Sequence, residues 1–218
     1  MEENIFTRAL EAVKHIRSEE GAILTEPFLD LCKHLLPLVD KFGPSLSCIK
    51  ADIASYIEKL ESKYSTEPSR YSNLYTITKE EIEDKSARIS SSCTNAFVWL
   101  NRWWLFYFLL SLLHVRSVAM DFLVQLFCSL LENPEWSMTQ ACTDSYKKTL
   151  KKWHGWMATS TSKVVMKLAP ERKKFMNSIG VNDEVGLEIK KFCATFSPIL
   201  EENHKFLADA GVDDLKAP

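Results

Sequence analysis

Apolar residues recur every three to four positions along most of this chain, and this spacing restricts its fold more than any other feature. The stretch 25–42 shows the pattern most clearly, with apolar side chains at Phe28, Leu31, Cys32, Leu35, Leu38 and Val39. Residues spaced in this way share one face of an α-helix. The chain has only 6 Gly and 8 Pro among 218 residues, too few turn residues for a many-stranded β protein. The sequence therefore predicts an all-α protein.

Helix boundaries follow from capping residues and prolines. Thr25 is expected to cap the helix over 25–42, with Pro27 in its first turn, and Gly43-Pro44 to end it. Further helices are predicted over 46–63 and 70–88, and after a capping-box pattern at Ser137-Met138-Thr139-Gln140. A break is expected at Ala169-Pro170, followed by a long helix over 183–208 that Pro198 should kink. Without internal repeats or low-complexity linkers, residues 1–218 are expected to form one domain.

Charge and cysteine content exclude several classes of function. The 27 basic and 29 acidic residues give a net charge of −2, which argues against a general nucleic-acid binder. The cysteines contain no C-x-x-C pair and no histidine at zinc-finger spacing, so neither a metal nor a cofactor is expected. The acidic start lacks the apolar segment of a secretory signal, which predicts a cytosolic protein with reduced cysteines.

A strongly apolar block covers residues 96–113. Its uninterrupted part, Trp103 to Leu113, is shorter than the roughly 20 residues that a membrane-spanning helix needs, and Asn101-Arg102 and His114 interrupt it on either side. Three interpretations remain: a membrane span, a buried helix, or a helix that lines an internal lipid pocket.

No G-x-S-x-G, P-loop, G-x-G-x-x-G or H-E-x-x-H motif occurs, so we expect no enzymatic activity. Asp52, Tyr56 and Lys59 share one helix face, either as a solvated salt-bridge face or as a binding site. Trp99 is either a core residue or a flat face on which a sugar ring stacks or a cation binds.

Two further segments keep two interpretations each. Trp153-His154-Gly155-Trp156 is either a packed turn or part of a site. A basic stretch is either a solvated helix face or a surface that docks on an anionic membrane. Its members are Lys147, Lys148, Lys151, Lys152, Lys163, Lys167, Arg172, Lys173 and Lys174.

Several of these segments together resemble the glycolipid transfer protein family, and its plant branch most closely. The matching strings are Ile49-Lys50-Ala51-Asp52-Ile53, Phe97-Val98-Trp99-Leu100-Asn101-Arg102, Asp144-Ser145-Tyr146 through Trp156, Leu168-Ala169-Pro170 through Phe175, and Asn203-His204-Lys205-Phe206-Leu207. The resemblance covers nearly the whole chain. It implies a two-layer all-α sandwich in which the two chains of a ceramide enter a cleft between the layers.

The resemblance also implies roles for single residues. Asp52 would accept a hydrogen bond from the ceramide amide N–H, and His154 would donate one to the amide carbonyl. Trp99 would lie under the first sugar, with Lys59 beside it. Trp156 and Lys152 would contact the membrane. The implied protein is a cytosolic monomer, transiently bound to membranes, that transfers a sphingolipid, most simply a glycosylceramide.

Two departures from the family pattern keep alternatives open. Tyr56 stands where glycolipid-binding members usually have Asn and the ceramide-phosphate branch has Lys. Ceramide-1-phosphate or another sphingolipid therefore remains an alternative ligand, as does a lipid sensor that has lost transfer. In addition, Trp103–Val118 resembles a 16-residue insertion in the central helix, which would add about 24 Å and 160° of rotation to a continuous helix. We expect the insertion to lengthen and displace this helix, or to form a protruding hairpin; a splice variant is one hypothesis for its origin.

Overall fold

The computed structural model describes residues 5–42, 47–102, 120–149, 169–180 and 183–213. Within these ranges the chain forms ten helices and two isolated β-bridges, Arg17 with Ile23 and Leu24 with Asn73. The helices are α1 (Ile5–Lys14), α2 (Thr25–Leu35), α3 (Pro37–Asp40), α4 (Ser47–Thr66), α5 (Leu74–Glu83), α6 (Cys93–Arg102), α7 (Met120–Glu132), α8 (Met138–Thr149), α9 (Arg172–Ser178) and α10 (Asp183–Asp209).

The helix predicted over 25–42 is divided in two at Leu36, where Pro37 opens the short α3. The prediction that Thr25 caps it is wrong. The residue before the helix is Leu24, which has no capping side chain. The buried Thr25 hydroxyl instead donates to the carbonyl of Tyr71, 2.5 Å away, because a hydroxyl without access to water needs a protein acceptor.

The capping box at the start of α8 is confirmed. The Ser137 hydroxyl accepts a hydrogen bond from the Gln140 N–H at 3.2 Å, and the Gln140 side chain accepts one from the Ser137 N–H at 2.8 Å. The long final helix is confirmed as α10, and Pro198 lies inside it. Just before that proline, the Ser197 hydroxyl donates to the Cys193 carbonyl at 2.7 Å.

Helix α6 occupies a central place, because it packs against α4, α5, α7 and α10. Around it, α1 packs on α2 and α10, and α7 packs on α8 and α10. Phe6 of α1 joins these groups: its ring meets Phe127 of α7 edge-on at 5.0 Å and Phe192 of α10 at 6.2 Å. Helices from the start, middle and end of the chain therefore share one hydrophobic core.

Among the helices that the structure describes, none is long and apolar enough to cross a membrane. The segment Trp103–Leu113, on which the three interpretations of the apolar block depend, lies outside the described residues, as does the rest of the apparent insertion.

Candidate functional site

Helix α4 carries three of the residues predicted to bind a lipid headgroup. The buried positions of this helix are Ile53, Ile57 and Leu60. Asp52, Tyr56 and Lys59 each lie one position before them and are half-buried, and the Tyr56 ring packs against the core. The three residues therefore share one helix edge, as the spacing predicts, and this edge lies beside the core and is not fully solvated.

Trp99 lies on α6 and is 4% exposed. Its indole N–H finds no hydrogen-bond acceptor in the part of the chain that the structure describes. A buried donor without a partner costs about 1–3 kcal/mol, so this N–H is a candidate contact for a ligand oxygen. A sugar that stacks on the ring requires the residues covering it to move.

The N-terminus of α6 is fixed by side chains from the preceding segment. The two carboxylate oxygens of Glu81, on α5, accept hydrogen bonds from the Cys93 and Thr94 N–H groups at 2.8 and 2.6 Å. The Ser92 hydroxyl accepts the Asn95 N–H at 2.9 Å. These acceptors satisfy donors that the first turn of a helix leaves unpaired, and a carboxylate also favours the positive end of the helix dipole.

The same end of α6 contacts α4. The Cys93 thiol lies 3.9 Å from the carbonyl oxygen of Lys59. Burial, together with the negative charge of Glu81, raises the pKa of Cys93 to about 11, so the thiol stays protonated at neutral pH. This contact places the start of α6 beside Lys59.

The C-terminus of α6 is held by a buried polar network. The Asn203 side chain of α10 donates to the Asn101 side-chain oxygen at 2.9 Å, and the Tyr75 hydroxyl donates to the Asn203 oxygen at 2.9 Å. The next residue on α10, His204, lies 2.5 Å from the Asp121 carboxylate at the start of α7. The end of α6 and the start of α7, which flank the apparent insertion in the sequence, are therefore attached to consecutive residues of α10.

These anchoring residues were not among the functional residues predicted from the sequence. The strings that carry the family resemblance include Asn101, Asn203 and His204. Their place in those strings was a signal in the sequence that could have identified them. Glu81 gave none, because its contact with Cys93 depends on the turn between α5 and α6.

His154, Trp156 and Lys152, predicted to bind the ceramide amide and the membrane, lie outside the described residues, so their roles stay predictions. In the described part of the basic stretch, Lys148 pairs with Asp144 at 2.8 Å, while Lys147, Lys173 and Lys174 are exposed.

Arg172 has a structural role within the basic stretch. Its guanidinium donates to the carbonyls of Leu130, Asn133 and Trp136 at 2.6, 3.0 and 2.9 Å. It thereby caps the C-terminus of α7. Among the described residues, no group of three or more His, Cys, Asp or Glu side chains is arranged to hold a metal ion.

Known proteins are similar to this chain in sequence and in fold. The glycolipid transfer protein family model matches residues 23–181. The chain is 49% identical to glycolipid transfer protein 1 of Arabidopsis thaliana over 100% of both chains. It is 32% identical to glycolipid transfer protein 3 of the same plant, over 88% of this chain and 78% of that protein.

Solved structures show the same architecture at lower sequence identity. The GLTP fold with which FAPP2 selects simple glycosphingolipids superposes with a TM-score of 0.78 at 22% identity, covering 99% of this chain and 100% of that one. Human ceramide-1-phosphate transfer protein in complex with 12:0 ceramide-1-phosphate superposes with a TM-score of 0.76 at 18% sequence identity. The match covers 97% of this chain and 99% of that one. The predicted two-layer all-α sandwich is thereby confirmed, and the chain belongs to the glycolipid transfer protein family.

Proposed function

We propose that this protein transfers a sphingolipid, most simply a glycosylceramide, between membranes without vesicles and without making or breaking a covalent bond. Water exposure costs a lipid chain about 0.8 kcal/mol per CH₂ group, so unassisted transfer of two long chains is slow. A protein that buries both chains removes this barrier. The proposed carrier is a cytosolic monomer that binds membranes transiently through Trp156 and Lys152.

The observation that carries this proposal is the packing of α4 against α6. The start of α6 lies beside Lys59, and the buried positions of α4 extend from there towards its N-terminus. We infer that α6 runs antiparallel to α4 along this buried face. Asp52 then lies about 10 Å along α4 from the contact and Trp99 about 9 Å along α6, which brings the carboxylate level with the indole.

This arrangement suits a ceramide headgroup. An amide presents one N–H and one C=O, which a carboxylate acceptor at Asp52 and an imidazole donor at His154 together satisfy. The buried N–H of Trp99 supplies a further donor for a headgroup oxygen. The fold does not select between a sugar and a phosphate, because both ligand classes occur among the solved relatives. Trp99 favours a sugar headgroup, because members of the phosphate-binding branch of the family usually have Arg at the corresponding position.

The test is transfer of labelled glucosylceramide and labelled ceramide-1-phosphate between vesicles. We expect transfer of glucosylceramide, and a loss of about 10- to 100-fold in Asp52→Val and Asp52→Asn, because a charge-assisted hydrogen bond contributes about 1.5–3 kcal/mol. Trp99→Ala should reduce transfer as well. Glu58→Gln is the matched control, since Glu58 is an exposed carboxylate on the same helix.

The outcomes separate the alternatives. Transfer that is unaffected in a folded Asp52→Val variant would disprove the site assignment. Preferential transfer of ceramide-1-phosphate would replace the sugar by a phosphate headgroup. Binding of lipid without transfer, by folded protein, would favour a lipid sensor on the same fold.

A further inference from the structure

A carboxylate lies close to Lys59, one of the residues predicted to bind a lipid headgroup. Glu81 on α5 holds the start of α6 through the N–H groups of Cys93 and Thr94, at 2.8 and 2.6 Å. The Cys93 thiol in turn lies 3.9 Å from the carbonyl oxygen of Lys59. These two contacts, with the length of one cysteine between them, place the Glu81 carboxylate within about 10 Å of the Lys59 backbone.

The contacts of Glu81 hold its carboxylate in place without cancelling its charge, because both donors are uncharged backbone N–H groups. The positive end of the α6 dipole offsets only about half a charge. The neighbouring Glu80 differs, since it pairs with the Arg70 guanidinium at 2.6 Å. Glu81 is also half-buried, so salt screens its field less than that of a fully exposed acid. Of these two adjacent acids, Glu81 therefore has the stronger effect on its surroundings.

Two lysines on α4 oppose this charge. Lys63 follows Lys59 by one helical turn, and its ammonium lies over the Tyr71 ring, 4.7 Å from the ring centre. All three charges act on Cys93: burial raises the pKa of its thiol to about 11, Glu81 adds to the rise, and Lys63 and Lys59 oppose it. Without Glu81, the two ammonium groups would make this edge of α4 attractive to a phosphate.

We propose that Glu81 is a specificity-determining residue, whose negative charge disfavours an anionic headgroup beside Lys59 and leaves a neutral sugar unaffected. The inference rests on the proposed function, in which Lys59 faces the headgroup of a sphingolipid. It adds a residue of α5 to that site and gives a physical reason for a preference between the two ligand classes that the shared fold leaves open. Glu81 acts through its charge, not by touching the lipid.

Coulomb's law sets the size of the effect. Two unit charges about 10 Å apart, at an effective dielectric constant between that of a protein surface and that of water, change an equilibrium about 3-fold. A phosphate monoester carries between about one and two negative charges at neutral pH. Removing the charge of Glu81 should therefore favour ceramide-1-phosphate by about 3- to 10-fold. Salt should weaken the effect, because 10 Å is about one Debye length at 0.1 M ionic strength.

The experiment compares Glu81→Gln, which removes the charge but keeps the shape, with Glu81→Asp, which keeps the charge on a shorter side chain. Binding of glucosylceramide and of ceramide-1-phosphate is measured at low salt, by energy transfer from tryptophan to a fluorophore on the lipid chain. Glu81→Gln should raise the affinity for ceramide-1-phosphate relative to glucosylceramide by about 3- to 10-fold, and high salt should reduce this change. Glu81→Asp should keep the wild-type ratio. Because each ratio is taken on one folded protein, a loss of stability cancels from it.

Glu83→Gln is the matched control. It removes the same charge from the same helix, but Glu83 is exposed and lies two positions after Glu81, on the opposite face of α5. Its ratio should equal that of the wild type.

The outcomes distinguish this inference from the proposed function. If the wild type binds glucosylceramide and Glu81→Gln leaves the ratio unchanged, only the role of Glu81 is overturned. An equal shift in Glu81→Asp would assign the effect to packing, and an equal shift in Glu83→Gln would assign it to total charge; either overturns that role as well. Folded protein that binds neither lipid overturns the proposed function and the role of Glu81 with it.

Discussion

At the scale of single residues, His204 lies between two carboxylates. Its Nε2 atom is 2.5 Å from Asp121 and its Nδ1 atom 3.5 Å from Asp213. Burial disfavours the charged ring, but hydrogen bonds and opposite charges from the two aspartates outweigh this and raise the pKa of His204 to about 9. The imidazolium therefore persists at neutral pH, unlike an ordinary surface histidine.

This shift predicts how stability depends on pH. Because the folded-state pKa lies above the unfolded value of about 6.5, the stabilising contribution is complete below pH 6.5 and is lost as pH rises through 9. By linkage it amounts to at most about 3 kcal/mol. Urea unfolding of the wild type and of His204→Gln, from pH 6 to pH 10, should show a difference in unfolding free energy that shrinks over this window.

His15→Gln is the control for this measurement, because His15 is an exposed histidine and its substitution should leave the pH profile unchanged. A wild-type advantage that stays constant from pH 6 to pH 10 would contradict the assignment of charge to His204.

At the scale of helices, α6 is the element on which the candidate site depends. Glu81 fixes its first turn, and the network of Asn101, Asn203 and Tyr75 fixes its last. Trp99 lies between these two anchors, so its position in the core is determined from both ends of a short helix.

Replacing Glu81 by Gln should lower the free energy of unfolding by about 1–2 kcal/mol. The variant keeps one acceptor oxygen but loses the charge and the second acceptor, which leaves one N–H of Cys93 or Thr94 unpaired. Thermal or urea unfolding measures the loss. Glu83→Gln, an exposed acid on the same helix, should stay within about 0.5 kcal/mol of the wild type. Equal effects of the two substitutions would argue against the cap.

The elements also show which features a sequence can predict. The capping box of α8 was predictable because Ser137 and Gln140 are three positions apart and act through local geometry. The hydrogen bond of the Thr25 hydroxyl was not predictable, because its acceptor is the carbonyl of Tyr71, 46 positions away in the sequence. The division between α2 and α3 did have a local signal, Pro37, since a proline inside a helical pattern ends the helix at the preceding residue, but the prediction followed the apolar spacing across it. In the candidate site, the shared edge of Asp52, Tyr56 and Lys59 followed from spacing, whereas the burial of Trp99 depends on tertiary packing.

At the scale of the whole molecule, the chain passes the same point of α10 twice. It leaves α6 at Asn101, bound to Asn203, and enters α7 beside Asp121, bound to His204. A straight helix from Arg102 to Met120 would separate these residues by about 27 Å. The contact between α6 and α7 is incompatible with that distance, so the two are not parts of one straight helix.

Deleting Trp103–Val118 should give a folded protein. Joining Arg102 to Ala119 places Asn101 and Asp121 four positions apart, on one helix face, as their neighbouring partners on α10 require. We expect cooperative unfolding with a stability within about 1 kcal/mol of the full chain, measured in urea. Deleting Trp103–Ala119 is the matched control: one residue fewer rotates the following face by about 100° and should destabilise strongly. Equal stability of both deletions would disprove the register argument.

The attachment of the end of α6 and the start of α7 to Asn203 and His204 also makes this position suitable for protein engineering. Loop-closure entropy rises by only about 0.6 kcal/mol for each doubling of loop length. Helix register therefore matters only when the two anchors are joined by a continuous helix, and a connection long enough to form a loop can vary in length at little cost to the core. By the same reasoning, a fluorescent reporter domain inserted between Arg102 and Ala119 should leave the rest of the protein folded.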